Sequence, residues 1–305
     1  MIELFKGIKV DWLGKRKLFF AISMALLLIG IWSIATRQFR YGLDFKGGTL
    51  VRVKFSEVVE IGALRNLLPE ANIQAIQAPG SAGGSEFQIE LGKSAENEDA
   101  SIGRETVTNA LTTAYAGKFD VVGSESVSAK VGSDLRRQAV LATLYALGGI
   151  LVYIALRFEW IYGAAAVFAV FHDALVTLGF FSLFNYEINL TVIAALLTLV
   201  GYSVNDTIVV FDRVRENLKT RRRDDFETIL NDSINQTFSR TILTAVLTFL
   251  TVMALFLFGG DIINNFAFAM VVGIIVGCYS SVAVAAPLVL IYTNVRGARV
   301  AANRR

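Results

Sequence analysis

Two groups of polar and ionisable residues interrupt apolar stretches of this chain. In "VGYSVNDTIVVFDRVREN", residues 200–217, the groups are Asn205, Asp206, Asp212 and Arg213; in "FHDALVTLGF", residues 171–180, they are His172 and Asp173. An ion near the centre of a bilayer costs about 2.5–3.5 kcal/mol on insertion scales, so such residues face protein or water. A seven-residue offset returns Arg213 to within about 20° of the Asp206 face but leaves about 10 Å between them along the axis. A water or a neighbouring helix, and not a direct ion pair, then bridges them. Two readings follow. A protonatable acid with a base on the same face is what a proton pathway requires; alternatively both are boundary residues, with Arg213 reaching toward headgroups. Gly201, Ser203 and Thr207 favour close packing around Asp206.

His172 and Asp173 are adjacent, so their Cα–Cβ bonds point about 100° apart and each is expected to find its own partner. His172 either donates to a neighbouring carbonyl and locks the packing, or titrates near neutral pH as part of a relay. Asp206, Arg213, Asn205 and Asp212 are the candidate proton pathway, with His172 and Asp173 as an additional intramembrane polar site. The coupling ion is H+ or Na+, since a carboxylate beside Asn and Ser serves either.

These residues need membrane helices to hold them. The chain has 305 residues, 54% hydrophobic and 18% charged, more apolar matter than a soluble core uses. Runs of roughly 20 apolar residues, enough to cross about 30 Å of hydrocarbon, occur six times. They lie near 18–36, 137–156, 160–184, 188–211, 241–259 and 264–292. Lysines and arginines crowd the N-terminus, the stretch after the fourth span and the C-terminus, which places both termini in the cytoplasm. The expected organisation is a cytoplasmic segment 1–17, a first span 18–36, an external domain 37–135, spans two to six over 136–292 with a cytoplasmic loop at about 213–240, and a cytoplasmic tail 293–305. The first apolar run is longer than the 7–15 residues of a signal-peptide core and reads as a retained span. Leu4, Phe5, Ile8 and Trp12 recur beside lysines as an interfacial helix would. Within the loop, Asp224 and Glu227 resemble a capping box, and Phe226, Ile229, Leu230, Ile234 and Phe238 form an apolar face that suggests a helix lying on the membrane, with "RRRDD" meeting anionic lipid by default or else a cytosolic partner.

The external domain holds the only alternation that reads as strands: "GTLVRVKF", "FQIEL" and "KFDVVGSESVSA", with a further short strand near Ile73 to Ala78. Helical spacing in "VVEIGALRNLLPE" and "EDASIGRETVTNALTTAYAG", and a hairpin loop at "APGSAGGSE", give the order β, α, β, β, α, β of a ferredoxin-like α+β sandwich. No nucleophile with its base and no carboxylate pair stands out, so the domain reads as a contact surface, and the chain as no enzyme. One cysteine, Cys278, and one histidine exclude an internal disulfide and a Cys/His metal site. A net charge of +3 gives no argument for nucleic acid.

Five motifs in order resemble the SecF family of bacterial protein translocase subunits, which belongs with SecD to the RND superfamily. They are "YGLDFKGGT" with Gly42, Asp44, Gly47 and Gly48 leading into the external domain, "FHDALVTLGFFSL", "GYSVNDTIVVFDRVREN", "SRTILTAVLTFLTVMALFLFGG" and "FAMVVGIIVGCYSSVAVAAPLVL". Where the family often has a Val-Gly-Pro-type turn, "SVSAKVGSDLRR" has no proline, and Cys278 stands where a small hydroxyl residue is common. The resemblance implies a six-span SecD partner in the inner membrane, the Sec channel of SecY, SecE and SecG, YidC, and an unfolded preprotein as cargo. It implies that proton-motive force drives export, with Asp206 and Arg213 at the SecD interface and no cofactor. The competing expectation is a half-size RND-type exporter of lipid or small molecules working as a homodimer.

Overall fold

The computed structural model describes residues 9–76, 86–92, 100–157 and 159–302. The N-terminal residues Leu4, Phe5 and Ile8, most of the hairpin loop "APGSAGGSE" and the last residues of the tail lie outside them. Among the described residues, six helices are long and apolar enough to cross a membrane: Arg16–Arg37, Lys130–Ile154, Trp160–Phe184, Leu190–Thr220, Phe226–Phe258 and Ile263–Val295. Two compact units divide the chain: Tyr41–Ala142 with Glu187–Leu190 forms one, and the remaining helical segments form the other.

In the helical unit, α6 (Trp160–Phe184), α7 (Leu190–Thr220) and the rod formed by α9 (Asp261–Ser280) and α10 (Ala286–Ala302) supply most of the buried residues. Small side chains set how closely helices approach. A Cβ on Gly179 of α6 would lie 2.6 Å from the Gly30 Cα of α1 (Arg16–Arg37), and Ser33 and Ser182 share a hydrogen bond of 3.0 Å on the same seam. Between α9 and α10, residues Ser281–Ala285 wind as a π-helix. Pro287 follows; its ring would press on the carbonyl four residues back, and the wider turn gives that carbonyl room.

The stretch expected as a loop at 213–240 is helical at both ends. α7 runs 31 residues, about 46 Å, and α8 (Phe226–Phe258) runs 33, so both outlast a bilayer core and only 221–225 joins them. Asp225, not Asp224, caps α8, its side chain accepting from the Glu227 N–H at 3.2 Å; Asp224 instead takes the Arg221 guanidinium at 2.6 Å. The apolar face expected on the membrane packs inward: Ile229, Leu230 and Ile234 are buried in the bundle core, where Phe226 also packs. Asn217 donates to Ser233 at 2.8 Å and Arg221 to Asp232 at 2.6 Å, which closes the α7–α8 hairpin.

Trp12 is likewise held by protein. Its indole N–H donates to Asn235 Oδ1 at 3.0 Å and its backbone N–H to Asn231 Oδ1 at 2.9 Å, while both asparagine amides donate to the Val10 carbonyl. Arg16 pairs with Glu227 beside them.

The other unit carries a four-stranded antiparallel sheet in the order β3 (Ala71–Ile76), β4 (Glu86–Leu91), β2 (Gly48–Phe55), β5 (Phe119–Val127). Val51 pairs with Ile89 on one side and Ser124 on the other, and a bulge falls between Arg52 and Val53. Helices α3 (Ile61–Leu67) and α4 (Ala100–Tyr115) supply Leu64, Val107 and Leu111 to a core with Val51, Val53, Phe55, Phe87 and Ile89. The alternation of β2 is what makes this possible, since every second residue reaches the helices. Two small elements were not expected: the one-turn helix α2 (Leu43–Lys46) and a two-stranded pairing of β1 (Arg40–Tyr41) with β6 (Glu187–Ile188). The long helix α5 (Ala129–Arg157) follows β5.

Candidate proton site and its relatives

Three helices of the bundle meet at one carboxyl group. Asp173 on α6 accepts from Ser203 of α7 at 2.6 Å and from Ser280 at the end of α9 at 2.7 Å, both on Oδ2. Its Oδ1 lies 3.0 Å from His172 Nδ1, and all four side chains are buried. Close approach of α9 makes this geometry available: a Cβ on Gly277 would sit 3.2 Å from the Ser203 Cβ and 3.6 Å from Asp173 Oδ2.

The expectation that His172 and Asp173 need separate partners is therefore half right. Asp173 finds its own hydroxyl donors on other helices, but His172 bonds to Asp173. Cα–Cβ bonds set 100° apart do not keep polar atoms two or three bonds further out from meeting when neighbouring Cα atoms are only about 3.8 Å apart. The other ring nitrogen, His172 Nε2, is buried without a hydrogen-bond partner among the described residues.

Asp206 lies three residues along α7 from Ser203. It is only 4% exposed, and its Oδ2 has no hydrogen-bond partner among the described residues. The charged group that acts on it electrostatically is Arg240 of α8, and Cys278 of α9 is a further neighbour.

Arg213, in contrast, is turned to α8 and to its own helix: Nε donates to Gln236 Oε1 at 2.5 Å and Nη1 to Glu216 Oε2 at 2.6 Å. Nearer acceptors satisfy it than a carboxyl two turns away. Asp212 is exposed and 3.9 Å from Arg157, and Asn205 is exposed. Of the four pathway candidates, then, Asp206 alone is inside the bundle. Ser280 and Arg240 were missed as members of the site and Ser203 was noted only for packing. A serine in an apolar span carries little signal, and an arginine at the edge of one reads as an anchor.

The glycines of "YGLDFKGGT" have separate steric reasons. Gly47 ends α2 at φ 72°, and Gly48 sits at φ 138°, where a Cβ would be 2.5 Å from the Leu91 carbonyl oxygen. Gly42 donates to the Ile188 carbonyl at 2.9 Å, and Asp44 Oδ2 accepts from the Leu190 N–H at 2.9 Å.

Comparison with known proteins places these features in a family. Residues 106–295 match the family model described as protein export membrane protein SecD/SecF, C-terminal, and residues 32–57 match the SecD/SecF GG motif. The protein translocase subunit SecF of Calditerrivibrio nitroreducens is 43% identical over 97% of this chain and 98% of its own length. That of Haemophilus influenzae is 42% identical over 93% of this chain and 88% of its own. The crystal structure of SecDF, a translocon-associated membrane protein from Thermus thermophilus, superposes with a TM-score of 0.82 at 36% identity, covering 94% of this chain. This chain spans 39% of that longer one. A family model over most of the chain and relatives at this identity lead to one statement: the chain belongs to the SecF family of Sec translocase accessory subunits.

Proposed function

We propose that the chain works with a SecD partner in the bacterial cytoplasmic membrane and uses the proton-motive force to promote export of unfolded preproteins through the SecY, SecE and SecG channel, with YidC as a further associate. The observation that carries this is the buried Asp206 carboxyl with an open oxygen, one helical turn from Ser203, whose hydroxyl donates to a second buried carboxyl that ties three helices together. A group so placed gains or loses a proton only by changing what the surrounding helices must satisfy. One elementary charge moved through 100 mV yields about 2.3 kcal/mol, comparable to the cost of keeping one ion in the membrane, so proton uptake is enough to bias two packings of the bundle.

In this reading Asp206 holds the proton and Arg240 sets its electrostatic surroundings. Asp173 and His172 form an accessory site, Asn205 and Asp212 face a partner or water, and Arg213 braces α7 against α8 through Gln236. The sheet-bearing unit, residues 37–135 in the organisation above, is the external lobe, with both termini cytoplasmic. Its strand order and its β, α, β, β, α, β sequence support a ferredoxin-like assignment. The lobe meets the moving preprotein; no residue takes a catalytic role and no cofactor is needed.

The Thermus thermophilus protein translocase subunit SecDF is 38% identical over 96% of this chain, which matches 40% of it. A SecF-like part joined to a longer remainder in one polypeptide speaks for a heteromeric pair and against a homodimeric exporter. The test is export into membrane vesicles under separately imposed H+ and Na+ gradients, wild type against Asp206→Asn. Loss of the H+-dependent stimulation in the variant is expected. Stimulation by Na+ alone would reassign the ion, and indifference to both gradients would leave only a passive scaffold.

A further inference from the structure

The glycine-rich loop that opens the sheet-bearing unit also touches the first residue of the helix that carries Asp206. Asp44 Oδ2 accepts from the Leu190 N–H at 2.9 Å, and Leu190 belongs to the same compact unit as Asp44 while the rest of α7 does not. The first N–H groups of any helix have no partner within it, and a carboxylate there also complements the helix dipole. Here the cap is supplied from 146 residues away in sequence. Gly42 fixes the same junction from the other side, through its bond to the Ile188 carbonyl and its packing against Asn189, where a Cβ would sit 3.1 Å from Asn189 Cβ. The loop rests on a second long helix as well: a Cβ on Gly132 of α5 would be 3.3 Å from the Asp44 carbonyl oxygen and from the Gly47 nitrogen, and Arg136 lies over the Tyr41 ring at 5.2 Å.

We propose that Asp44 is a positioning residue for gradient-driven export, a remote N-cap through which the loop at 42–48 holds the first turn of α7, the helix that carries Asp206. This rests on the proton-coupled reading above. Gly47 and Gly48 serve it indirectly: they let the chain turn out of α2 into β2 so that Asp44 is presented to Leu190.

The test uses the full chain in nanodiscs, with amide hydrogen exchange read at the first turn of α7 and, as a control, in β2. Asp44→Ala is expected to speed exchange of the Leu190 amide about fivefold while β2 stays protected; Asp44→Asn, which keeps an acceptor oxygen, restores most of the protection. Gradient-dependent export in vesicles containing SecD should fall in the alanine variant and recover in the asparagine one. Unchanged exchange at Leu190 in Asp44→Ala overturns the proposal, as does an asparagine variant no better than alanine. Equal loss of protection in β2 would overturn it too, by making Asp44 a general folding residue. If Asp206→Asn exports normally, the proton reading fails by itself, whatever the exchange at Leu190 shows.

Discussion

Replacing Asp173 by alanine removes the acceptor shared by Ser203 and Ser280 and the partner of His172. An interhelical hydrogen bond inside a membrane is worth about 0.6 kcal/mol on average and up to about 1.7, so the two hydroxyl bonds at 2.6 and 2.7 Å together contribute about 1–3 kcal/mol. The void left by the carboxyl adds about 1 kcal/mol. The expected destabilisation is therefore about 2–4 kcal/mol, with Asp173→Asn recovering about half because one carbonyl oxygen remains. Ser280 also donates to the Gly277 carbonyl at 3.2 Å, so Ser280→Ala should cost less than Ser203→Ala. Reversible unfolding by SDS titration in mixed micelles measures these differences, and a double-mutant cycle isolates the Asp173–Ser203 bond, expected at about 0.5–1.7 kcal/mol. A coupling energy near zero, or an alanine variant within about 0.5 kcal/mol of wild type, would refute the idea that this carboxyl holds three helices together.

Three other outcomes are expected. Gly179→Leu should destabilise the bundle by about 1–3 kcal/mol in the same titration, because its side chain must displace the Gly30 backbone of α1; cross-linking of cysteines placed at Ser33 and Ser182 should fall with it. Arg240→Gln should reduce H+-stimulated export more than Arg213→Gln, since Arg240 acts on Asp206 and Arg213 is bound to Gln236 and Glu216; equal effects would restore the reading of Asp206 and Arg213 as boundary residues. With Trp32 and Trp160 replaced by phenylalanine, Asn235→Ala should shift Trp12 emission to longer wavelength, as the indole loses its tie to α8; unchanged emission would mean that packing against Phe19 and Phe238 alone holds the ring.

The spans and strands were legible because each rests on a pattern the sequence prints directly: unbroken apolar length for the six helices, and alternation for β2 and β4. What was not legible depended on distance. The amphipathic face of residues 226–238 gave the right helix and the wrong neighbour, since an apolar stripe does not distinguish a lipid surface from the inside of a bundle. Asp206 was found because a lone carboxyl in an apolar run is conspicuous, while its assignment to Arg213 followed helix periodicity alone and missed Arg240 on another helix. The roles of Ser203 and Ser280 came only from the crossing of α7 and α9, which Gly277 permits.

The π-wound turn at Ser281–Ala285 constrains how this chain can vary in length. Such a turn stores one residue more than an α-turn, so deleting a single residue there need not break the rod; it would let α-winding resume. The residues beyond would then keep their faces, with Val289 and Leu290 still in the core they now fill and Ser280 still on Asp173, whereas the same deletion in an α-wound part of the span would swing everything beyond it by about 100°. The count of residues in this last span is thus as much a part of the design as their chemistry.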